Sequence, residues 1–232
     1  MLIGHHKQRQ YIRTLAQSGK LPHALLFAGE RGLGKKTAAL EFAMALNCQN
    51  TTAGQKPCFV CRACSDIQKN QYPDLAIVEP EKKEIQISQT RDLIWRLSLR
   101  PYNSVLKIAV IDDAHLMNSE AQNCLLKTLE EPSGQALLIL ISDQPSTLLS
   151  TILSRVEKIN FYPVAKKEIE TVLVSQGASA DLARELGELS MGRPGEAIDF
   201  FREPEKLKTY RQRLSEVSRL IGDDFTERFQ YA

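Results

Sequence analysis

No apolar run approaches the ~18 residues of a membrane span, and the opening Met1-Leu2-Ile3-Gly4-His5-His6-Lys7 lacks the apolar stretch of a secretory signal. A membrane protein is excluded on this pattern, and a cytoplasmic one is expected. Neither sign of charge is in excess: 30 Lys+Arg stand against 28 Asp+Glu, for a formal net charge of +2. A bulk electrostatic grip on nucleic acid needs a strongly basic face, so contact with DNA is expected to be local or shared with partners. Aromatics do not cluster among basic residues, which argues against a base-stacking platform. Repeats and low-complexity tracts are also missing. What remains is an ordinary globular balance, 43% hydrophobic and 25% charged over 232 residues. At roughly 150 residues per domain that means one large or two modest domains.

Four of the five cysteines, Cys48, Cys58, Cys61 and Cys64, crowd into one short stretch, while Cys124 stands alone. In a reducing compartment such clustering reads as metal binding sooner than as disulfides. Four thiolates on a loop make a closed tetrahedral site, which points to structural Zn²⁺, with iron–sulfur ligation as the chemical alternative. Cys124, beside Leu125 and Leu126, is expected in the core.

Apolar spacing predicts a helix over Lys7–Ser18 and a strand over His23–Ala28, followed by a glycine-rich loop and a helix reaching Asn47. Strands are expected at Leu75–Val78, Lys107–Asp113, Ala136–Ile141 and Glu157–Phe161, separated by helices at Ile87–Leu99 and Ser119–Glu130. Strands alternating with helices imply an α/β fold with a parallel sheet. After Tyr162-Pro163 only helical segments follow, near Lys166–Gln176, Ser179–Glu188, Pro194–Phe201 and Pro204–Ile221. The expected division is a nucleotide-binding-like domain at 1–162 carrying the cysteine insertion at 48–64, then a small helical domain at 163–222.

Gly29-x-x-Gly32-x-Gly34-Lys35 lies between a strand and a helix, the setting of a P-loop. There the glycines let backbone N–H groups close round a phosphate, and Lys35 meets the outer phosphates. A bare glycine turn joining strand to helix is the alternative. The next position, Lys36, stands where the motif has a Ser or Thr whose hydroxyl ligates Mg²⁺; a hydroxyl appears only at Thr37, about 100° further round the helix. Asp112 closes a strand downstream and is placed to hold Mg²⁺, with Asp113 where a water-orienting Glu is usual. The alternative for Asp112-Asp113 is a polar strand end with a helix cap.

Taken together, Leu21-Pro22-His23-Ala24-Leu25-Leu26-Phe27, the cysteine insertion, Ile111-Asp112-Asp113-Ala114-His115, Asn123-Cys124-Leu125-Leu126-Lys127-Thr128-Leu129-Glu130-Glu131-Pro132 and Thr151-Ile152-Leu153-Ser154-Arg155 resemble subunits of the bacterial DNA polymerase III clamp loader. That assembly belongs to the AAA+ ATPases, and the likeness is to the delta prime type more than to the gamma/tau type. The resemblance covers about residues 1 to 200. It implies an AAA+ P-loop domain with an inserted zinc module and a helical lid. It also implies that Arg155 reaches across a subunit interface as an arginine finger in trans, and that Ser142 stands near the sensor-1 position, where a strand-end turn is the alternative.

Several positions depart from the ATPase pattern. Lys36 and Asp113 are two; the third is Gly195, where active members carry a nucleotide-contacting Arg in the helical domain, and Arg193 lies two residues early. The resemblance therefore implies a component of the polymerase holoenzyme whose own ATPase is weak or absent. Zn²⁺ is the expected cofactor, whereas ATP with Mg²⁺ is disfavoured by Lys36. Expected partners are the gamma/tau and delta subunits, the sliding clamp, and primer–template DNA through the assembly. An active gamma/tau-type ATPase is the second reading, and a zinc-stabilised nucleic-acid binding module with a vestigial loop is the third. Residues 223–232 are expected to begin a linker to an oligomerising collar domain that the sequence does not contain.

Overall fold

Strand β1 (Ala24–Ala28) consists of five apolar residues, all buried, and the computed structural model sets it inside a five-stranded parallel sheet with β2 (Leu75–Val78), β3 (Lys107–Ile111), β4 (Ala136–Ser142) and β5 (Glu157–Asn160). The structure describes residues 2–50, 56–102, 104, 106–131 and 135–222; the linker expected at 223–232, Pro132, and residues 51–55 of the cysteine insertion lie outside them. Strand order is β2-β3-β4-β1-β5. The three inner strands are buried almost throughout, as continuous apolar runs in a parallel sheet should be.

Alternation along each strand divides the core into two layers. Leu25, Phe27, Ile108, Val110, Leu137 and Ile139 face α1 (His6–Ser18), α2 (Lys35–Asn47) and α3 (Arg62–Gln68), through Ile12, Phe42 and Ile67 among others. Leu26, Ala109, Ile111, Leu138 and Leu140 face α4 (Ile87–Ser98), α5 (Ser119–Glu130) and α6 (Ser150–Leu153), through Leu93, Leu125 and Ile152. The α/β fold with a parallel sheet expected from the strand–helix alternation is the one observed.

Asp74, just before β2, is buried and anchors the loop that leads from α4 into β3. Its carboxylate accepts from Tyr102 N at 2.8 Å, Ser104 N at 3.0 Å and Ser104 Oγ at 2.8 Å, with Lys107 Nζ at 3.4 Å.

Local differences from the sequence expectation have simple causes. β3 ends at Ile111 because Asp113 turns into the left-handed region at φ 50, so Asp112 and Asp113 sit in the turn beyond the strand. Cys124 is half-buried rather than in the core: the buried face of α5 runs through Ala121, Gln122, Leu125 and Leu129, and position 124 falls at its margin. The cysteine segment is not all loop either, since Cys64 lies on α3 and is fully buried.

Two compact units divide the chain, Met1–Val164 and Ala165–Ala232. The second contains α7 (Lys166–Ser175), α8 (Ala180–Leu189), α9 (Pro194–Arg202) and α10 (Pro204–Gly222). Ile169, Leu173, Leu186, Ala197, Phe200 and Leu207 form its interior, and Gly187 brings α8 close to the stems of Lys166 and Glu170 on α7. Among the described residues no helix is long and apolar enough to cross a membrane.

Candidate functional site

The loop after β1 opens at the carboxyl edge of the sheet, where open α/β sheets bind ligands. Gly29 N–H donates to Ser142 O at 3.2 Å, joining the loop to the end of β4. A side chain at Gly29 (φ 149) would meet Phe161 O at 2.5 Å, so the residue must be glycine for the loop to lie against the end of β5. Gly32 and Gly34 have φ of 82 and 87, and Gly34 caps α2. The N-terminal segment braces this turn: His5 Nε2 lies 2.8 Å from Leu33 O, and Leu2 N–H donates to Glu41 Oε1 at 2.7 Å.

Lys35 is buried at the start of α2, and its ammonium donates to Gly29 O at 2.5 Å and Glu30 O at 2.6 Å. Burial pulls its pKa below the ordinary lysine value, with Asp143, Asp112 and Asp113 opposing. Thr37 is half-buried in the same first turn.

Lys36 does something the motif does not. Its ammonium pairs with the Glu79 carboxylate and stands 3.2 Å from Asp112 Oδ2. Burial alone would lower its pKa, but the hydrogen bond it donates to Glu79 and the charge of Asp112 outweigh that and hold the group above its ordinary value. The residues of the Mg²⁺ position therefore do not fit the metal. A hydroxyl is missing from the first helical turn at that point, and the carboxylate that would face the ion already has a cation against it. Asp113 N–H donates back to Asp112 Oδ1 at 3.1 Å, and the Asp113 side chain makes no capping bond to the short turn Ala114–Leu116.

Ser142 is fully buried, and its hydroxyl accepts from Gln144 N at 3.1 Å. Two further residues join the site: Asp143, which was not singled out beforehand, and His115, which was quoted above only within a longer motif. Asp143, directly after Ser142, is the strongest favourable charge acting on Lys35, and His115 Nε2 lies 3.0 Å from its Oδ1 without hydrogen-bond alignment. A polar residue following a buried strand at the carboxyl edge was the available signal for Asp143. In the helical unit, Arg193 is tied to Ser190 O at 3.1 Å and to Glu196 at 3.0 Å, while Gly195 lies in the first turn of α9.

The four clustered cysteines converge. Cys48 ends α2, Cys58 and Cys61 flank a tight turn with Phe59 at φ 61, and Cys64 lies on α3; their sulfurs all fall within 4.8 Å of one another. Four thiolates on one tetrahedral Zn²⁺, at about 2.3 Å each, would stand about 3.8 Å apart. The cluster is close enough to hold a metal ion. Backbone amides already point at the sulfurs, with Cys58 N–H at 3.4 Å from Cys48 Sγ and Cys61 N–H at 3.3 Å from Cys58 Sγ, the kind of outer contact that orients thiolate ligands. Amide hydrogen bonds from Val60 and Cys61 lower the Cys58 thiol to about 6, whereas burial pushes Cys64 upward.

Arg155 lies between α6 and β5. Its guanidinium donates to Thr151 O at 3.0 Å and to Ser154 Oγ at 3.2 Å, and it pairs with Glu130 at 2.8 Å.

A parallel sheet with a glycine loop and a lysine at the carboxyl edge is the arrangement of the P-loop class. Among solved structures, a DNA polymerase III gamma subunit-related protein of Thermotoga maritima matches with a TM-score of 0.61 at 22% identity, over 83% of this chain and 58% of that one. A single-substitution variant of RuvB from the same organism matches with a TM-score of 0.58 at 17% identity, over 90% of this chain and 64% of that one. These likenesses concern the fold. The family described as "DNA polymerase III, delta subunit" matches residues 4–165, and the chain belongs to it. DNA polymerase III subunit delta' of Bacillus subtilis is 36% identical over 189 residues, 82% of this chain and 56% of that protein. The delta' subunit of Pseudomonas aeruginosa is 38% identical over 176 residues, 74% and 53% respectively. Subunit tau of B. subtilis is 30% identical over 168 residues, 72% of this chain and 30% of that one. The chain thus spans about half the length of the delta' relatives it matches.

Proposed function

We propose that this chain is a delta prime-type subunit of the DNA polymerase III clamp loader, helping to place the sliding clamp on primed DNA while hydrolysing little ATP itself. The observation that carries the reading is the Lys36 ammonium 3.2 Å from Asp112 Oδ2, where a metal-dependent ATPase needs a hydroxyl and an open carboxylate. Family membership and the delta' relatives supply the assembly: delta and gamma/tau subunits as direct partners, the clamp and primer–template DNA through them. The near-balanced charge suits work at protein interfaces in the cytoplasm.

In this reading Arg155 provides a cation to the nucleotide of a neighbouring subunit. A guanidinium placed there stabilises charge developing on the transferring phosphoryl group and makes turnover depend on assembly. Cys48, Cys58, Cys61 and Cys64 hold a structural Zn²⁺ that fastens the end of α2 to α3. Helices α7–α10 act as the lid domain. Gly29, Gly32, Gly34 and Lys35 keep the phosphate-binding form of the loop, with Thr37, Asp113 and Ser142 at its border.

The test is ATP turnover with clamp and primed DNA. The chain alone should be inactive, and a reconstituted loader with Arg155→Ala should turn over more slowly than one with the unaltered chain. Robust turnover by the chain alone would instead favour the gamma/tau-type ATPase, and an unchanged rate for Arg155→Ala would remove the trans role.

A further inference from the structure

We propose that Lys36 is a tethered substitute for the divalent cation, so that this loop takes a nucleoside di- or triphosphate without Mg²⁺. This deepens the proposed function and rests on its reading of Gly29–Lys35 as a phosphate loop. Lys36 occupies the first turn of α2, and its ammonium bridges Glu79 and Asp112, carboxylates on two different strand ends. A metal in a working site spans a helix-start hydroxyl and a strand-end carboxylate; here one side chain spans the same two elements.

Charge is what that substitution contributes to binding. Asp112, Asp113 and Asp143 all act on Lys35, and each carboxylate that a cation covers lowers the repulsion met by an incoming polyphosphate. In metal-dependent relatives of this class the ion screens the strand-end carboxylate. Here the Lys36 ammonium screens Asp112 and covers Glu79 as well, and phosphate oxygens would be met by the loop amides, the N-terminus of α2 and a Lys35 ammonium exchanging its bonds to Gly29 O and Glu30 O for them. A single charge on a lysine stem also differs from an ion in what it does to the reaction. It cannot coordinate two phosphate oxygens and a water in fixed geometry, so binding is retained while hydrolysis is not supported.

Calorimetric titration of the full chain with ADP and ATP, in EDTA and in excess Mg²⁺, tests this directly. Affinity should change by less than about tenfold between the two conditions, equivalent to ~1.4 kcal/mol. A larger gain with Mg²⁺ would overturn the proposal, as would failure to bind either nucleotide; both outcomes leave the clamp-loader role standing, which only turnover by the chain alone would challenge. Lys36→Thr restores the hydroxyl and uncovers Asp112, so its nucleotide affinity should become Mg²⁺-dependent and Mn²⁺ bound with nucleotide should become visible by electron paramagnetic resonance. Lys36→Met keeps the length without the charge and should weaken metal-free binding about tenfold or more. Metal-independent binding by Lys36→Thr, or undiminished binding by Lys36→Met, would count against it. Circular dichroism establishes that each variant is folded, and the comparison on the unaltered chain stands without them.

Discussion

Arg155 is held within its own subunit by Glu130, with Nη2 2.8 Å from Oε1. Both side chains are partly exposed, at 34% and 52%, and pairs of that kind contribute at most about 1 kcal/mol. The guanidinium is therefore positioned yet easily released to a stronger anion such as a nucleotide phosphate. Glu130→Gln should change the unfolding free energy of the isolated chain by less than about 1 kcal/mol in urea titrations. Arg155→Ala should lower loader turnover about tenfold or more at the affected site, and Arg155→Lys should recover only part of that loss, because an ammonium lacks the bidentate fork.

The cysteine cluster predicts one zinc per chain in metal analysis of protein purified without chelator. Cys64→Ser removes a ligand and leaves a hydroxyl in a fully buried position. It should destabilise the protein by about 2–4 kcal/mol and abolish zinc retention. Acidification should release the metal, since protons compete for the four thiolates. Stability contributed by zinc is thus present at neutral pH and lost as pH falls. Retention of zinc by Cys64→Ser would show that the ligand set is different.

Gly29→Ala tests the close approach of the loop to β5. The added Cβ would lie 2.5 Å from Phe161 O, a backbone atom that cannot swing away, at a φ of 149 that other residues seldom adopt. A loss of about 2–3 kcal/mol in thermal or denaturant unfolding is expected. A neutral effect would mean that a Cβ at position 29 clears Phe161 O by more than 2.5 Å.

Asp74→Ala should be among the most damaging single changes in the first unit. Three hydrogen bonds from Tyr102 and Ser104 lose their acceptor, and Lys107, with an exposed fraction of 11%, loses its counter-charge. Breaking a buried pair this way costs about 3–5 kcal/mol. Asp74→Asn, which keeps one acceptor oxygen, should cost less, and equal losses would argue that charge rather than hydrogen bonding dominates.

Legibility in the sequence followed the range of the interaction. The β1 run Ala24–Ala28, the β4 run Ala136–Ser142 and the glycine loop between β1 and α2 were readable because apolar periodicity and backbone permissiveness are properties of neighbouring residues. The cysteine spacing likewise announced a four-sulfur cluster. It did not announce α3, because Arg62–Gln68 is short and only the burial of Ala63, Cys64 and Ile67 against the sheet makes it a helix worth forming. Cys124 looked like a core residue from its neighbours Leu125 and Leu126, yet the face of α5 that meets the sheet passes it by.

By itself, then, the sequence determined the five strands and the longer helices, the parallel α/β class, the family and the identities of Lys35, Lys36, Asp112, Arg155 and the four cysteines. Tertiary structure decided which of those groups meet. The parallel strand order β2-β3-β4-β1-β5 sets the ends of β2 and β3 along the same carboxyl edge as the loop after β1, with β4 between, and the Lys36 ammonium at the start of α2 reaches Glu79 and Asp112 there. The same order sets Asp143 near Lys35, and the packing of α5 beside α6 places Glu130 against Arg155. Electrostatic contacts act over a few ångströms of space whatever their separation along the chain, and that separation is closed only when the sheet buries its apolar faces.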